Sequence, residues 1–379
     1  MLILGILLGL FSLVILVVIH ELGHAIVARR NGVVVEEFGI GFPPKAWGRK
    51  LKNGILFTLN WLPLGGFVRL KGEHDSATGK GTYGGASFWV KTKILFAGVV
   101  MNWIVAALLL TVLAWTGLPK IIPNQFIVQG DTRIEAGQVA LASIVADSPA
   151  ARAGFEKGDV ITKVDDSNIT SSADFVAQTK QHAGKEVFMT FNRSGQEMSR
   201  QVTLSSDSSR PTFGAGLKQQ RPETIHATWS APIVGVVTTG QLSWETIKGL
   251  GTLIGKLGSG VVGQFSANTQ TKDHANADLR EVSSSVAGPV GILGVIFPAV
   301  QQQGITEIIL LIAVISLTLA VMNALPIPAL DGGRWWTMAV FRVLKKPLTK
   351  SREEKIQTVG FLFLFGLIIF VTIADIGKF

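Results

Sequence analysis

The chain has 379 residues, is 47% hydrophobic, carries a formal net charge of +9 and contains no cysteine. Disulfides and cysteine-ligated metals are excluded, and the positive mean hydropathy is too high for an ordinary soluble globule. No RNA- or DNA-binding motif accompanies the basic residues, so a nucleic-acid partner is set aside.

Residues 1–19 are apolar and uncharged, long enough to be read as a membrane span. They lack the basic start and small-residue cleavage site of a signal peptide. The run leads directly into His20-Glu21-Leu22-Gly23-His24. Histidines four apart share one face of a helix. Two such imidazoles can grip one zinc ion, with Glu21 placed to hold and deprotonate a water at the metal. Ionisable groups at the end of a span are costly and mark a functional site. The competing reading is a solvated histidine pair at the membrane surface.

Residues 33–71 read as strands and turns. Asn31-Gly32 and Asn53-Gly54 are turn signals, and Ile55 to Trp61 is strand-like. Leu64-Gly65-Gly66-Phe67-Val68-Arg69-Leu70 is apolar, and its glycines permit close backbone approach. It is expected to be a β-hairpin dipping into the membrane near the metal, with an ordinary surface hairpin as the alternative. Residues 73–85 are polar and Gly-rich, a loop in which His74 is expected to be solvated. The second span, 94–115, contains Gly98 and Asn102; Gly98 is read as helix packing, and Asn102 as a residue that could orient part of the zinc site.

Residues 121–217 form an inserted α+β domain carrying Ser148-Pro149-Ala150-Ala151-Arg152-Ala153-Gly154-Phe155-Glu156-Lys157-Gly158-Asp159-Val160-Ile161. Residues 226–257, with Trp229 and Trp244, look amphipathic and interfacial. Residues 259–285 read as a loop, and Gly288-Pro289-Val290-Gly291-Ile292 opens an apolar stretch too short to span. The third span, 308–330, ends in Asn323-Ala324-Leu325-Pro326-Ile327-Pro328-Ala329-Leu330-Asp331-Gly332-Gly333. Prolines inside a span free backbone groups, which is tolerated where the segment lines a cavity or is buried in protein. Asp331 there is a candidate third zinc ligand, completing a two-histidine, one-carboxylate set. The fourth span is 356–374.

Charge sets the expected orientation. Residues 29–93 hold 11 Lys/Arg against 4 Asp/Glu, residues 341–355 hold 6 against 2, and residues 117–304 hold 16 of each. Basic loops stay in the cytoplasm. The inserted domain and both termini are then outside, and both motifs lie near the cytoplasmic side.

The run from Ser148 to Ile161 resembles a bacterial PDZ domain, which binds an extended peptide along a sheet edge; Ser143-Ile144-Val145 is a candidate strand beside that groove. H-E-x-x-H with N-x-x-P-x-P-x-L-D-G-G resembles the site-2 protease family of intramembrane metalloproteases, and the PDZ insert resembles its bacterial RseP type. Gly65-Gly66-Phe67, Gly98 to Asn102 and Gly288 to Ile292 match further family segments. One PDZ domain is found where some members carry two.

The resemblance implies a polytopic α-helical membrane protein with four transmembrane helices, a membrane-associated β-hairpin and an inserted α+β PDZ domain. Its parts are 1–117, an N-terminal membrane part; 121–217, an extracytoplasmic PDZ domain; 226–304, an interfacial region; and 305–379, a C-terminal membrane part. The resemblance further implies zinc on His20, His24 and Asp331, with Glu21 as general base and then acid. Asn323 and the strand containing Gly65, Gly66, Phe67 and Val68 are implied to bind the substrate backbone, and Asn102 to support the site. The implied substrates are single-span proteins of the bacterial inner membrane, such as anti-sigma factors and remnant signal peptides. A transporter or channel is the rival reading for broken helices bearing Asp and Asn, but four spans without a repeat fit it poorly. A non-catalytic PDZ scaffold is the other, and the presence of Glu21 opposes it.

Overall fold

The computed structural model describes residues 2–376 apart from 136, 208–210, 267 and 286. The chain divides into two units, one of Met1–Leu110 with Val236–Phe379 and one of Thr111–Gly235.

The chain opens with α1 (Leu2–Arg30), β1 (Val35–Lys50), β2 (Leu56–Leu70) and α2 (Phe88–Thr116). Helix α1 ends at the expected Asn-Gly turn for a backbone reason. Gly32 takes φ +78°, so its N–H reaches Arg29 O at 3.1 Å and Val33 N–H reaches Ala28 O at 2.9 Å. This is the paired closure that a left-handed residue permits after a helix. Strands β1 and β2 are long and bent. Residues 37–40 pair with 66–69 on one side and with 56–59 on the other, while 47–50 pair with 56–59. Residues 66–69 therefore form one edge of the sheet. Glycine brings the two helices together: a Cβ on Gly23 of α1 would lie 2.6 Å from Ala97 O of α2. Ala25, Ala28, Val33, Val35, Tyr83, Ile94 and Met338 share one buried core.

The second unit adds β3 (Leu118–Pro119), β4 (Arg133–Glu135), β5 (Gln138–Ile144), α3 (Pro149–Arg152), β6 (Val160–Val164), β7 (Ser167–Asn168), α4 (Ser172–Gln181), β8 (Glu186–Arg193), β9 (Gln196–Thr203), β10 (Ala215–Arg221) and β11 (Thr224–His226). The main sheet runs β10-β5-β6-β8-β9, with β7 on β6; β3, β11 and β4 form a small second sheet. Alternate residues of β8, Val187, Met189 and Phe191, are buried against Leu141, Phe155, Ile161 and Phe213. The Gly158-Asp159 pair has a specific use. Asp159 accepts two hydrogen bonds from Arg193, each 2.6 Å, and one from Glu156 N–H at 2.8 Å, while Arg193 also donates to Gly154 O at 3.0 Å. Burial raises the Asp159 carboxyl pKa, but the Arg193 hydrogen bonds, the Glu156 N–H bond and the charges of Arg193 and Arg200 together outweigh it and hold the group below its usual value.

A lowered folded-state pKa adds stability above the unfolded value, lost as pH falls through the folded one. The inserted domain should therefore loosen as pH drops below about 4. Asp159→Asn should remove that acid dependence and speed amide exchange in β6 and β8 by roughly tenfold or more. Hydrogen exchange on the full chain across pH checks both; an unchanged acid limb in the variant would refute the assignment.

The remaining elements are α5 (Ala231–Gln264), α6 (Thr269–Ser285), α7 (Pro289–Gly291), a π-helical turn (Ile292–Ile296), α8 (Phe297–Gln301), α9 (Ile305–Ala324), α10 (Asp331–Val343) and α11 (Lys350–Ile376). The loop expected at 259–285 is mostly helix. Helix α6 is polar on its own but lies along the end of α5. Gly260 and Gly263 admit Leu279 and Ala275, Ser259 bonds Asp278 at 2.6 Å, and Lys256 pairs with Glu281. The third apolar helix stops at Ala324 rather than 330, because Leu325 precedes Pro326 and is pushed to extended backbone with ψ 153°. Among the described residues four helices, Leu2–Arg30, Phe88–Thr116, Ile305–Ala324 and Lys350–Ile373, are long and apolar enough to cross a membrane. The short apolar segment 289–301 packs on α1, with Pro298 over Gly5 and Phe297 over Gly9.

Candidate metal centre

His20 and His24 both lie on the buried side of α1. Asp331 opens α10, 311 residues from His20. The non-helical segment 325–330 delivers it, turning back tightly enough that Gly332 and Gly333 pack against the backbone of Ala324, Leu325 and Ile327. A side chain at either glycine would collide with that backbone.

The three side chains meet. Asp331 Oδ2 is 3.0 Å from His20 Nε2 and 3.3 Å from His24 Nε2, and the two Nε2 atoms are 3.1 Å apart. Zinc bonds of about 2.0–2.1 Å at tetrahedral angles space neighbouring ligand atoms by about 3.3 Å. The donor set and its spacing therefore fit zinc, and these are the residues that would hold it. Gly98 explains how α2 allows this. A Cβ there would lie 2.6 Å from both His20 Nε2 and His24 Nε2. The absent side chain leaves open the space in front of the imidazoles. The sequence suggested only packing for Gly98; nothing local shows that this glycine faces the histidines.

The outer ring nitrogens are also held. His24 Nδ1 donates to Ile94 O at 2.7 Å. The Asn102 amide lies 3.4 Å from His20 Nδ1. Asn102 is 1% exposed, and its Oδ1 has no hydrogen-bond partner among the described residues. A histidine that gives Nε2 to a metal keeps its proton on Nδ1. The amide turned with Oδ1 toward that proton accepts it, a common arrangement behind metal-binding histidines. Asn102 Cα–C=O is itself fixed, since its carbonyl accepts from Ser316 Oγ at 2.8 Å.

Glu21 stands one residue along α1 from His20, outside the three-residue ligand group. Phe67 and Val68 line the same cavity as Glu21, and Gly66 passes beside it, its Cβ position 3.5 Å from Glu21 Cγ. The edge strand thus meets the acid residue. Gly65 takes φ +92°. A cavity of about 430 Å³ is lined by Glu21, His24, Phe67, Val68, Asp331 and Gln357, among others. Asn323 is not among its lining residues, and its Nδ2 donates to Leu319 O at 3.0 Å in its own helix. His74 reaches the cavity and lies 3.7 Å from Glu354, away from the ligand group. Gln357 carried no signal in the sequence.

In the second unit, Ser143 and Ile144 are not the free groove strand. They pair with Gly216 and Ala215 of β10, which covers them and becomes the sheet edge. The groove lies between β10 and α4, lined by Phe175, Val176, Thr179, Phe213 and Leu217, with a volume of about 540 Å³.

A model described as peptidase family M50 matches residues 8–367. A Clostridium perfringens relative named for a zinc metalloprotease is 29% identical over 374 residues, covering 95% of each chain. Zinc metalloprotease RasP of Bacillus licheniformis is 26% identical over 96% of each chain. Regulator of sigma-W protease RasP of Bacillus subtilis is likewise 26% identical over 96% of each. The crystal structure of a PDZ domain from the SdrC-like protein of Listeria monocytogenes aligns with 24% of this chain and 93% of that one, at 24% identity and a TM-score of 0.19.

Proposed function

The chain belongs to peptidase family M50 and, with its relatives, is a zinc metalloendopeptidase; from that premise we propose that it cuts single-span membrane proteins within the bilayer. The observation that carries this is the meeting of His20, His24 and Asp331 beside Glu21 and the edge strand. Bound zinc supplies a Lewis acid for the scissile carbonyl and makes a water acidic near neutral pH. Glu21 takes the proton of the attacking water and passes it to the leaving nitrogen. His24 and His20 are kept in one tautomer by Ile94 O and Asn102.

A peptide bond inside a helix is shielded, so the substrate span must unwind. Its freed backbone groups cannot be left unpaired in lipid. The strand Gly65–Val68 is an edge beside Glu21 and offers them partners by β-addition. Asn323 is placed by this reading as a further backbone contact reached when substrate enters. The charge distribution favours a cytoplasmic-side active centre in a bacterial inner membrane, with the second unit outside. That unit is read as a single PDZ domain, able to take a peptide between β10 and α4. The RasP relative's role toward sigma-W favours anti-sigma factors as substrates, with remnant signal peptides as a second class.

The test is metal content and cleavage together, on detergent-purified protein with a single-span substrate. Wild type should hold about one zinc per chain, and Asp331→Ala should bind it at least roughly tenfold more weakly and lose cleavage. A metal-free wild type, or full zinc affinity in Asp331→Ala, would refute this assignment.

A further inference from the structure

Three residues of α11 touch the segment that presents Asp331, and no motif in the sequence points to them. Glu353, Gln357 and Gly360 are spaced four and three apart, so they share one face of the helix. Glu353 Oε1 accepts from Arg334 Nε at 3.1 Å, three residues beyond Asp331. Gln357 Oε1 accepts from Ala329 N–H at 2.6 Å, two residues before it. Gly360 packs on Pro328, where any side chain would collide. Arg334 is fixed from the other side too, donating to Glu73 Oε1 at 3.2 Å and to the Glu73 carbonyl, with its guanidinium over the Tyr83 ring. Glu353 also accepts from Asp75 N–H at 2.8 Å.

The segment needs this grip. Residues 325–330 are non-helical, and Ala329 has φ +78°, a left-handed conformation that costs a residue with a Cβ about 1–2 kcal/mol. Such strain persists only where neighbours over-determine it. Pro326 and Pro328 donate nothing. The Leu325 and Leu330 N–H groups bond locally, to Met322 O and Ile327 O; the Ala329 N–H bonds outward, and Gln357 supplies its acceptor.

We propose that Gln357 is a positioning residue for the metal-binding carboxylate: it holds Ala329 in its left-handed turn so that Asp331 meets His20 and His24. This rests on the zinc protease reading above. The fourth apolar helix contributes no ligand, yet it sets where the third ligand stands. Glu353 and Gly360 clamp the two flanks of the same turn.

The test uses the full chain in detergent, zinc affinity by chelator competition, and the kinetics of single-span substrate cleavage. Gln357→Leu removes the acceptor and should weaken zinc at least roughly tenfold, lowering kcat with KM little changed. Gln357→Glu keeps an acceptor oxygen and should stay within about threefold of wild type. Adding Ala329→Gly to Gln357→Leu should restore part of the zinc affinity, because glycine adopts the left-handed turn freely. Wild-type zinc affinity in Gln357→Leu, or equal loss in the Leu and Glu variants, would overturn the proposal while leaving the protease reading intact. A wild type without zinc would overturn both.

Discussion

Glu21→Gln should keep its zinc and cleave a single-span substrate roughly 10²–10⁴-fold more slowly than wild type. The two halves of that expectation come from separate observations. Zinc is retained because Glu21 is not one of the three converging donors. Gln has the same shape and fits the same space beside Gly66. Cleavage fails because a carboxamide does not take a proton from water near neutral pH, so the proton has no route to the leaving nitrogen. Metal content and single-turnover cleavage, measured on one preparation, read both. Zinc lost together with activity would make Glu21 a structural member of the site. Cleavage at the wild-type rate would place the base elsewhere.

Gly98→Ala should expel the metal and lower stability only modestly, the helix-propensity gain partly offsetting an overpacking cost of about 1–3 kcal/mol. Ala is favoured over Gly in a helix by about 1 kcal/mol, so α2 gains from the change. The new methyl, however, would stand 2.6 Å from His20 Nε2, His20 Cε1 and His24 Nε2. Neither ring can retreat easily: His24 is tied to Ile94 O at 2.7 Å, and His20 is backed by the buried Asn102 amide. Zinc affinity should fall by about 10²-fold or more, the range seen when a site loses its supporting geometry. A large loss of zinc affinity beside a small change in stability separates loss of metal from loss of fold. Chelator competition with thermal unfolding of the metal-free protein checks them. Full zinc binding by Gly98→Ala would show that α2 can back away and that Gly98 serves packing alone.

What the residue order discloses, and what it withholds, follows from the range of the interactions. H-E-x-x-H needs only one helix turn to place two imidazoles on one face, so His20 and His24 are legible at once. Asp331 is legible for a different reason, since a carboxylate after two prolines at the end of a span has few uses. Asn102 stands out because an amide inside an apolar helix needs a partner. Gly98 is chemically silent: glycine records that something comes close, not what. Gln357 looks like any polar residue near a helix start, and its importance exists only once α11 lies against the Ala329 turn. Helix α6 is not legible in the sequence for the converse reason. Its residues favour solvent, and it is held by Leu279 and Ala275 fitting over glycines of α5.

The amino-acid sequence by itself determined the four apolar helices, the histidine pair, the broken third helix and the Gly-Asp turn of the inserted domain. Each is set by contacts within a few residues, where hydropathy, proline and glycine act directly on the backbone. Only the tertiary structure decided that Asp331 meets His20 across 311 positions. It also decided that Gly98 clears the space before the imidazoles, that 66–69 is a sheet edge beside Glu21, and that β10 rather than residues 143–145 borders the cavity beside α4. Those facts depend on which faces of distant elements pack together, and a face has no chemical meaning until its partner is in place.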